Sequence, residues 1–246
     1  MDAFLKMLEQ IHFSGDDRLY TVGDVVDRGP KILHLLHWLE DCPENVFPIR
    51  GNHDEEFCVY VELMRTIDER HGLRTDPDSH DACVTLYQAA KYALGMRAAY
   101  FDLYGTIGTL LRTTAIRFSD LMLWASMFRK YPLTREVRVN GRRCVIVHGG
   151  YREDLPPESE EARNFYLYAR EEAWTSGGLR HGMIVGGHTP TISQGFAWTG
   201  GKVARHYDKQ KDCVFYDVDC GCVFRPRMPA ARLACLRLED EAVFYV

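Results

Sequence analysis

The stretch Tyr20 to Pro30 reads YTVGDVVDRGP: an apolar run meets a glycine, two aspartates follow three residues apart, and an arginine stands directly behind the second. A surface turn needs turn formers, but it has no use for two carboxylates and a guanidinium packed between two glycines. The reading depends on whether other apolar runs end the same way. Three do: NVFPIRGNHD (45 to 54), RCVIVHGG (143 to 150) and GMIVGGHTP (182 to 190). In open α/β sheets the carboxyl ends of the strands form the crevice where ligands bind, and glycine there lets the backbone turn sharply. The four runs deliver Asp24, Asp27, Arg28, Asn52, His53, Asp54, His148 and His188 to such an edge. Carboxylate, carboxamide and imidazole without thiolate suit a borderline divalent metal such as manganese, iron or zinc.

Helices and strands alternate around these motifs. MDAFLKMLEQIHF places apolar residues at 4, 5, 8 and 11, which predicts a helix over 2 to 11. RLYTV (18 to 22) predicts a short buried strand, and KILHLLHWLEDC a helix opened by Pro30. Residues 55 to 130 read as a mainly helical insert, helical to His71 and again from about Ala82, with no evident chemistry. REVRVNGRRCVIV predicts two strands joined by an Asn-Gly hairpin turn. A helix over 158 to 174 and a set of antiparallel strands in the tail complete the pattern, which fits one α/β domain over residues 1 to 246.

Composition narrows the functions. Thirty Lys and Arg against 35 Asp and Glu leave a net charge of −5 and no long basic tract, which argues against a nucleic-acid partner. No apolar run approaches the roughly 20 residues of a membrane span. The eight cysteines contain no CxxC pair, so a zinc ribbon is not indicated and a cytoplasmic protein with reduced thiols is expected, Cys220 and Cys222 being small buried side chains.

Taken together, GDVVDRG (23 to 29), GNHD (51 to 54), HGG (148 to 150) and GH (187 to 188) resemble the phosphoprotein phosphatase family of calcineurin-like metallophosphoesterases. YLYAREEAW (166 to 174) is similar to that family's bacterial W-x-R-E segment, and VDCGCVF (218 to 224) to its closing I-D-T-G-C strand. The branch most resembled holds bacterial Ser/Thr protein phosphatases and symmetrical diadenosine tetraphosphatases. The resemblance implies two mixed β-sheets packed as a sandwich between helices, with the motif loops at one edge. It implies a hydrolase of phosphomonoesters in which a metal-bound hydroxide attacks in line, with two divalent ions, Mn2+ first and iron or zinc as alternatives. Asp24 would bridge the ions and Asn52, His148 and His188 would complete the second. Asp27 would stand behind the ligands and orient them. Arg28 and Arg170, with Asn52, would bind the phosphate. His53 would protonate the leaving oxygen, with Asp54 orienting its ring.

One family element is missing. The D-x-H-G motif that opens the pattern in relatives does not occur in the 246 residues, and the helix that follows it there begins here at once. The expectation is a first metal left with Asp24 and waters, an absent first strand, and an upstream GDIHG-like segment in the complete protein. A phosphoprotein substrate is placed slightly ahead of a dinucleoside polyphosphate. A reading from another class is an inactive phosphate-binding module built on one metal and the two arginines.

Overall fold

A computed structural model describes residues 1–27, 29, 31–72, 75–95, 105–193 and 199–246. The chain divides into two compact units. One contains Met1–Asp24, Pro43–Asn52 and Pro132–Val246, the other Val25–Cys42 and His53–Tyr131.

The first unit is built on a five-stranded mixed sheet. Its strands are β3 (Thr134–Val139), β4 (Arg142–Val147), β5 (Gly182–Gly186), β6 (Ala204–Asp208) and β7 (Cys213–Asp217), in the order β3-β4-β5-β7-β6. The hairpin β3–β4 turns on Asn140 and Gly141, both at positive φ (50° and 78°), as the Asn-Gly pair predicts. β4, β5 and β7 run parallel, so their carboxyl ends share one edge. Side chains alternate across the sheet with period two. Val145, Val147, Ile184, Cys213 and Phe215 pack on one face with Ala162, Tyr166 and Ala173 from helices α7 (Glu160–Tyr168) and α8 (Glu172–Thr175). Cys144, Ile146, Met183, Val185, Val214 and Tyr216 face the other way, against Ile49, Tyr20, Val22 and Leu236. Cover on both faces explains why these strands read as unbroken apolar runs.

The second layer of the unit consists of two separate pairs. β1 (Leu19–Tyr20) pairs in parallel with β2 (Val46–Phe47), and β8 (Ala234–Leu236) pairs antiparallel with β9 (Val243–Tyr245). The first element is helix α1 (Asp2–Gln10), close to the sequence reading. Three expectations are corrected. β1 is two residues long and only half-buried. The predicted helix over 158 to 174 is broken into α7 and α8, because Ala169 turns extended (φ −61°, ψ 132°). VDCGCVF does not continue as a strand: Gly221 at φ 71° leads into a 3-10 turn, Cys222–Phe224.

The second unit contains only helices among its described residues: α2 (Ile32–Glu40), α3 (Asn52–His71, from its second residue onward), α4 (His80–Leu94), α5 (Thr106–Thr113) and α6 (Phe118–Lys130). In α2 the buried residues are Ile32, Leu36 and Leu39, the spacing of one helix face. They join Met64, Leu86, Leu110, Leu121, Trp124 and Phe128 in a continuous core, with Phe57 edge-on to Phe128 at 5.4 Å. Each such side chain contributes roughly 1.5–3 kcal/mol through burial. Pro30, expected to open α2, lies outside the described residues. No helix among the described residues is long and apolar enough to cross a membrane.

Candidate metal centre

The carboxyl edge of the five-stranded sheet carries the two histidines. His148 follows the last residue of β4, and His188 lies two residues beyond β5. Asp24 comes from the loop after β1, and Asn52 stands at the start of α3 rather than on a strand end. Asp24 (φ 52°) and His188 (φ 69°) both adopt the left-handed backbone region. That conformation is uncommon for residues other than glycine and is typical of side chains held in place for a purpose.

The four side chains meet at one atom. His148, 2% exposed, has Nδ1 2.6 Å from the carbonyl of Val22. A carbonyl only accepts, so Nδ1 carries a hydrogen, and Nε2 is the nitrogen that would ligate a cation through its lone pair. Around Nε2 stand Asn52 Oδ1 at 2.9 Å, His188 Nδ1 at 3.1 Å and Asp24 Oδ2 at 3.3 Å. The ligating atoms of Asp24, His148 and His188 all lie within 4.8 Å of one another. Lone pairs gathered so closely repel unless a cation lies among them, and two nitrogens with two oxygens suit a borderline divalent ion. The residues therefore fit one such ion. Tyr168 closes on this group with its ring edge-on to His188, centroids 6.4 Å apart.

Gly51 makes the arrangement possible. A Cβ at this position would stand 2.2 Å from Asp24 Oδ1 and 2.3 Å from the Asp24 backbone nitrogen. Only a hydrogen fits between Gly51 and the carboxylate.

In the helical unit a second group forms around His53. Its Nδ1 lies 2.7 Å from Asp27 Oδ2, with both side chains mostly buried. The other oxygen of Asp27, Oδ1, accepts from the backbone N–H of Thr106 at 2.7 Å and from its hydroxyl at 2.5 Å. The Asp27 N–H donates back to Thr106 Oγ1 at 2.8 Å. The carboxylate placed on His53 is thus Asp27, which differs from the sequence expectation of Asp54. Successive residues on a helix do not face each other. Asp54, fully buried, instead accepts the N–H of Val25 on Oδ1 at 3.1 Å.

Two candidates remain. Arg28 is outside the described residues. Arg170 is exposed in the break between α7 and α8, where its backbone N–H donates to Glu172 Oε2 at 3.1 Å. Two residues were not singled out from the sequence. Thr106 gave only a faint signal, a Gly-Thr pair opening an apolar-periodic run. Asp217, at the end of β7, is fully buried; its Oδ1 accepts the Asp219 N–H at 2.9 Å, and burial, with the Asp219 charge second, pushes its carboxyl well above the usual range.

These motifs coincide with a family match. The calcineurin-like phosphoesterase family model matches residues 1–219, and the chain belongs to that family. Among curated relatives, the symmetrical bis(5'-nucleosyl)-tetraphosphatase of Aliivibrio fischeri (strain MJ11) is 26% identical over 157 residues, covering 57% of this chain and 58% of the relative. The protein of the same name from Nitrosomonas europaea is 46% identical over 75 residues, or 30% of this chain and 27% of the relative. The chain therefore spans less than two thirds of the length of these relatives. A crystal structure provisionally assigned as a diadenosine tetraphosphatase superposes with a TM-score of 0.54 at 15% identity, over 100% of this chain and 87% of that one. At that identity the likeness concerns the fold.

Proposed function

We propose that the protein is a metal-dependent phosphoesterase whose substrate is a dinucleoside polyphosphate. The observation that carries the reading is the convergence of Asn52 Oδ1, His188 Nδ1 and Asp24 Oδ2 on His148 Nε2, each residue from one of the family's motifs. These four atoms would hold a divalent cation, with manganese as the first candidate. When bound, such an ion lowers the pKa of water and draws charge from a phosphoryl oxygen.

The chain's own residues supply the rest. Asp27 Oδ2 fixes the His53 ring through Nδ1, which leaves Nε2 to deliver a proton to the leaving oxygen. In sequence Asn52 and His53 are consecutive residues. Arg28 and Arg170 would bind the phosphate oxygens, a task suited to planar guanidinium groups.

The substrate class rests on the relatives, whose names specify symmetrical cleavage of a bis-nucleosyl tetraphosphate. They favour this substrate over the phosphoprotein that the motifs alone placed slightly ahead. The test is a manganese-supplemented assay of diadenosine tetraphosphate beside a phosphoserine peptide. Release of two ADP per substrate, at a rate well above phosphate release from the peptide, is expected. Faster hydrolysis of the peptide would reverse the choice of substrate. Binding of phosphate without turnover of either would favour the inactive module.

A further inference from the structure

We infer that Thr106 is a positioning residue for the proton donor, acting through Asp27 on His53. The inference rests on the phosphoester-hydrolase reading. Asp27 carries its side chain from a backbone at φ 73°, in the left-handed region, where a loop residue needs external support to hold one conformation. Thr106 provides that support from both sides of the same residue. Its N–H and hydroxyl both donate to Asp27 Oδ1, while its hydroxyl oxygen accepts the Asp27 N–H.

The position of Thr106 explains why it can do so. It is the first residue of α5, after Gly105 in extended conformation (φ −75°, ψ 145°), so its N–H has no partner within the helix. The helix start also favours a carboxylate electrostatically. Thr106 is 2% exposed, which keeps water from competing for Oδ1. With Oδ1 occupied by two donors, Oδ2 is the oxygen left to face His53 Nδ1 at 2.7 Å. Thr106 thus sets which lone pair of Asp27 meets the imidazole, and through it the direction of the His53 ring.

The same neighbourhood shows where the effect will be felt. Asp27, His53 and Thr106 line one cavity together with Glu56, Phe57 and Tyr87. A proton donor at such a wall matters in proportion to the basicity of the departing oxygen. A poor leaving group needs the proton, and a good one departs without it.

The experiment compares Thr106→Val and Thr106→Ser with the wild-type chain on two phosphate monoesters, an alkyl ester and 2,4-dinitrophenyl phosphate. Thr106→Val should lose roughly 10–100-fold on the alkyl ester, the usual cost of removing a residue that orients a functional group, and under about 3-fold on the dinitrophenyl ester. Thr106→Ser, which keeps the hydroxyl, should restore most of the alkyl-ester rate. Equal losses on both esters, or no rescue by serine, would overturn the inference. A proton spectrum supplies a readout independent of turnover. The downfield Nδ1–H line of His53, identified by its loss in His53→Asn, should vanish or shift in Thr106→Val and persist in Thr106→Ser. If the line is indifferent to Thr106, the inference fails whatever the kinetics. If the wild-type chain hydrolyses neither these esters nor diadenosine tetraphosphate while the line responds as expected, positioning stands and the hydrolase reading fails.

Discussion

Replacing Gly51 by alanine tests the metal centre without touching any ligand. The added Cβ would lie 2.2 Å from Asp24 Oδ1 and 2.3 Å from the Asp24 nitrogen, whereas ordinary contact begins at 3.4 Å. The carboxylate must therefore retreat by about 1.2 Å, and the nearby backbone nitrogen prevents relief by a side-chain swing alone. Losing the support that orients a metal ligand costs roughly 10–100-fold in metal affinity, and a displacement of this size belongs at the upper end. Expressed as affinity, that is about 2.7 kcal/mol of divalent-ion binding. Calorimetric titration with Mn2+ measures it directly, with circular dichroism confirming that the variant is folded. Gly15→Ala is the matched control, since nothing lies within 4 Å of an added Cβ there. Gly15→Ala should bind Mn2+ like the wild type. If folded Gly51→Ala binds Mn2+ within about 3-fold of the wild type, the close approach of Gly51 to Asp24 is not what holds the ligand.

Three other predictions follow from the same geometry. His53→Asn should lower turnover and leave metal content unchanged, whereas Asp24→Asn should lower both; equal metal loss in the two, read by elemental analysis, would reverse the assigned roles. Asp217 has a raised carboxyl pKa, so its ionisation adds no penalty at low pH and destabilises progressively as pH rises from about 4, its ordinary value, through the folded one. The gain in Tm from Asp217→Asn should therefore be larger at pH 7 than at pH 4, and a gain independent of pH would contradict the assignment. Burial pushes the thiols of Cys83 and Cys144 up to about 12 and that of Cys220 to about 11, so a thiol reagent at pH 8 should label these three only on unfolding; prompt labelling of the native chain would show them accessible.

Much of this structure was legible in the residues because local chemistry determined it. Asn140-Gly141 dictated a hairpin, and CVIV and MIV announced strands covered on both faces. The glycine-ended runs offered Asp24, Asn52, His148 and His188 among eight candidates, and only the resemblance to the phosphoesterase family singled out these four as ligands. What escaped depends on partners distant in sequence. The helical periodicity of 158 to 174 runs through Ala169, but the carbonyls of Tyr166 and Phe165 accept the N–H groups of Gly149 and Gly150, and the helix ends there to serve the His148 loop. Asp54 was expected to orient His53 on the family resemblance, and helix geometry turns it toward Val25 instead. Thr106 lies 79 residues from Asp27. Nothing in its local sequence distinguishes it from any other threonine at a helix start.

The central claim is that four protein atoms, His148 Nε2 and the three around it, form a cation site. Titration of the chain with Co2+, followed by visible absorption, tests it most directly. The account predicts a saturable spectrum with the intensity of nitrogen-containing coordination, lost in His148→Ala and His188→Ala while both variants remain folded. No saturable spectrum in the wild type, or one that survives both substitutions, would contradict it.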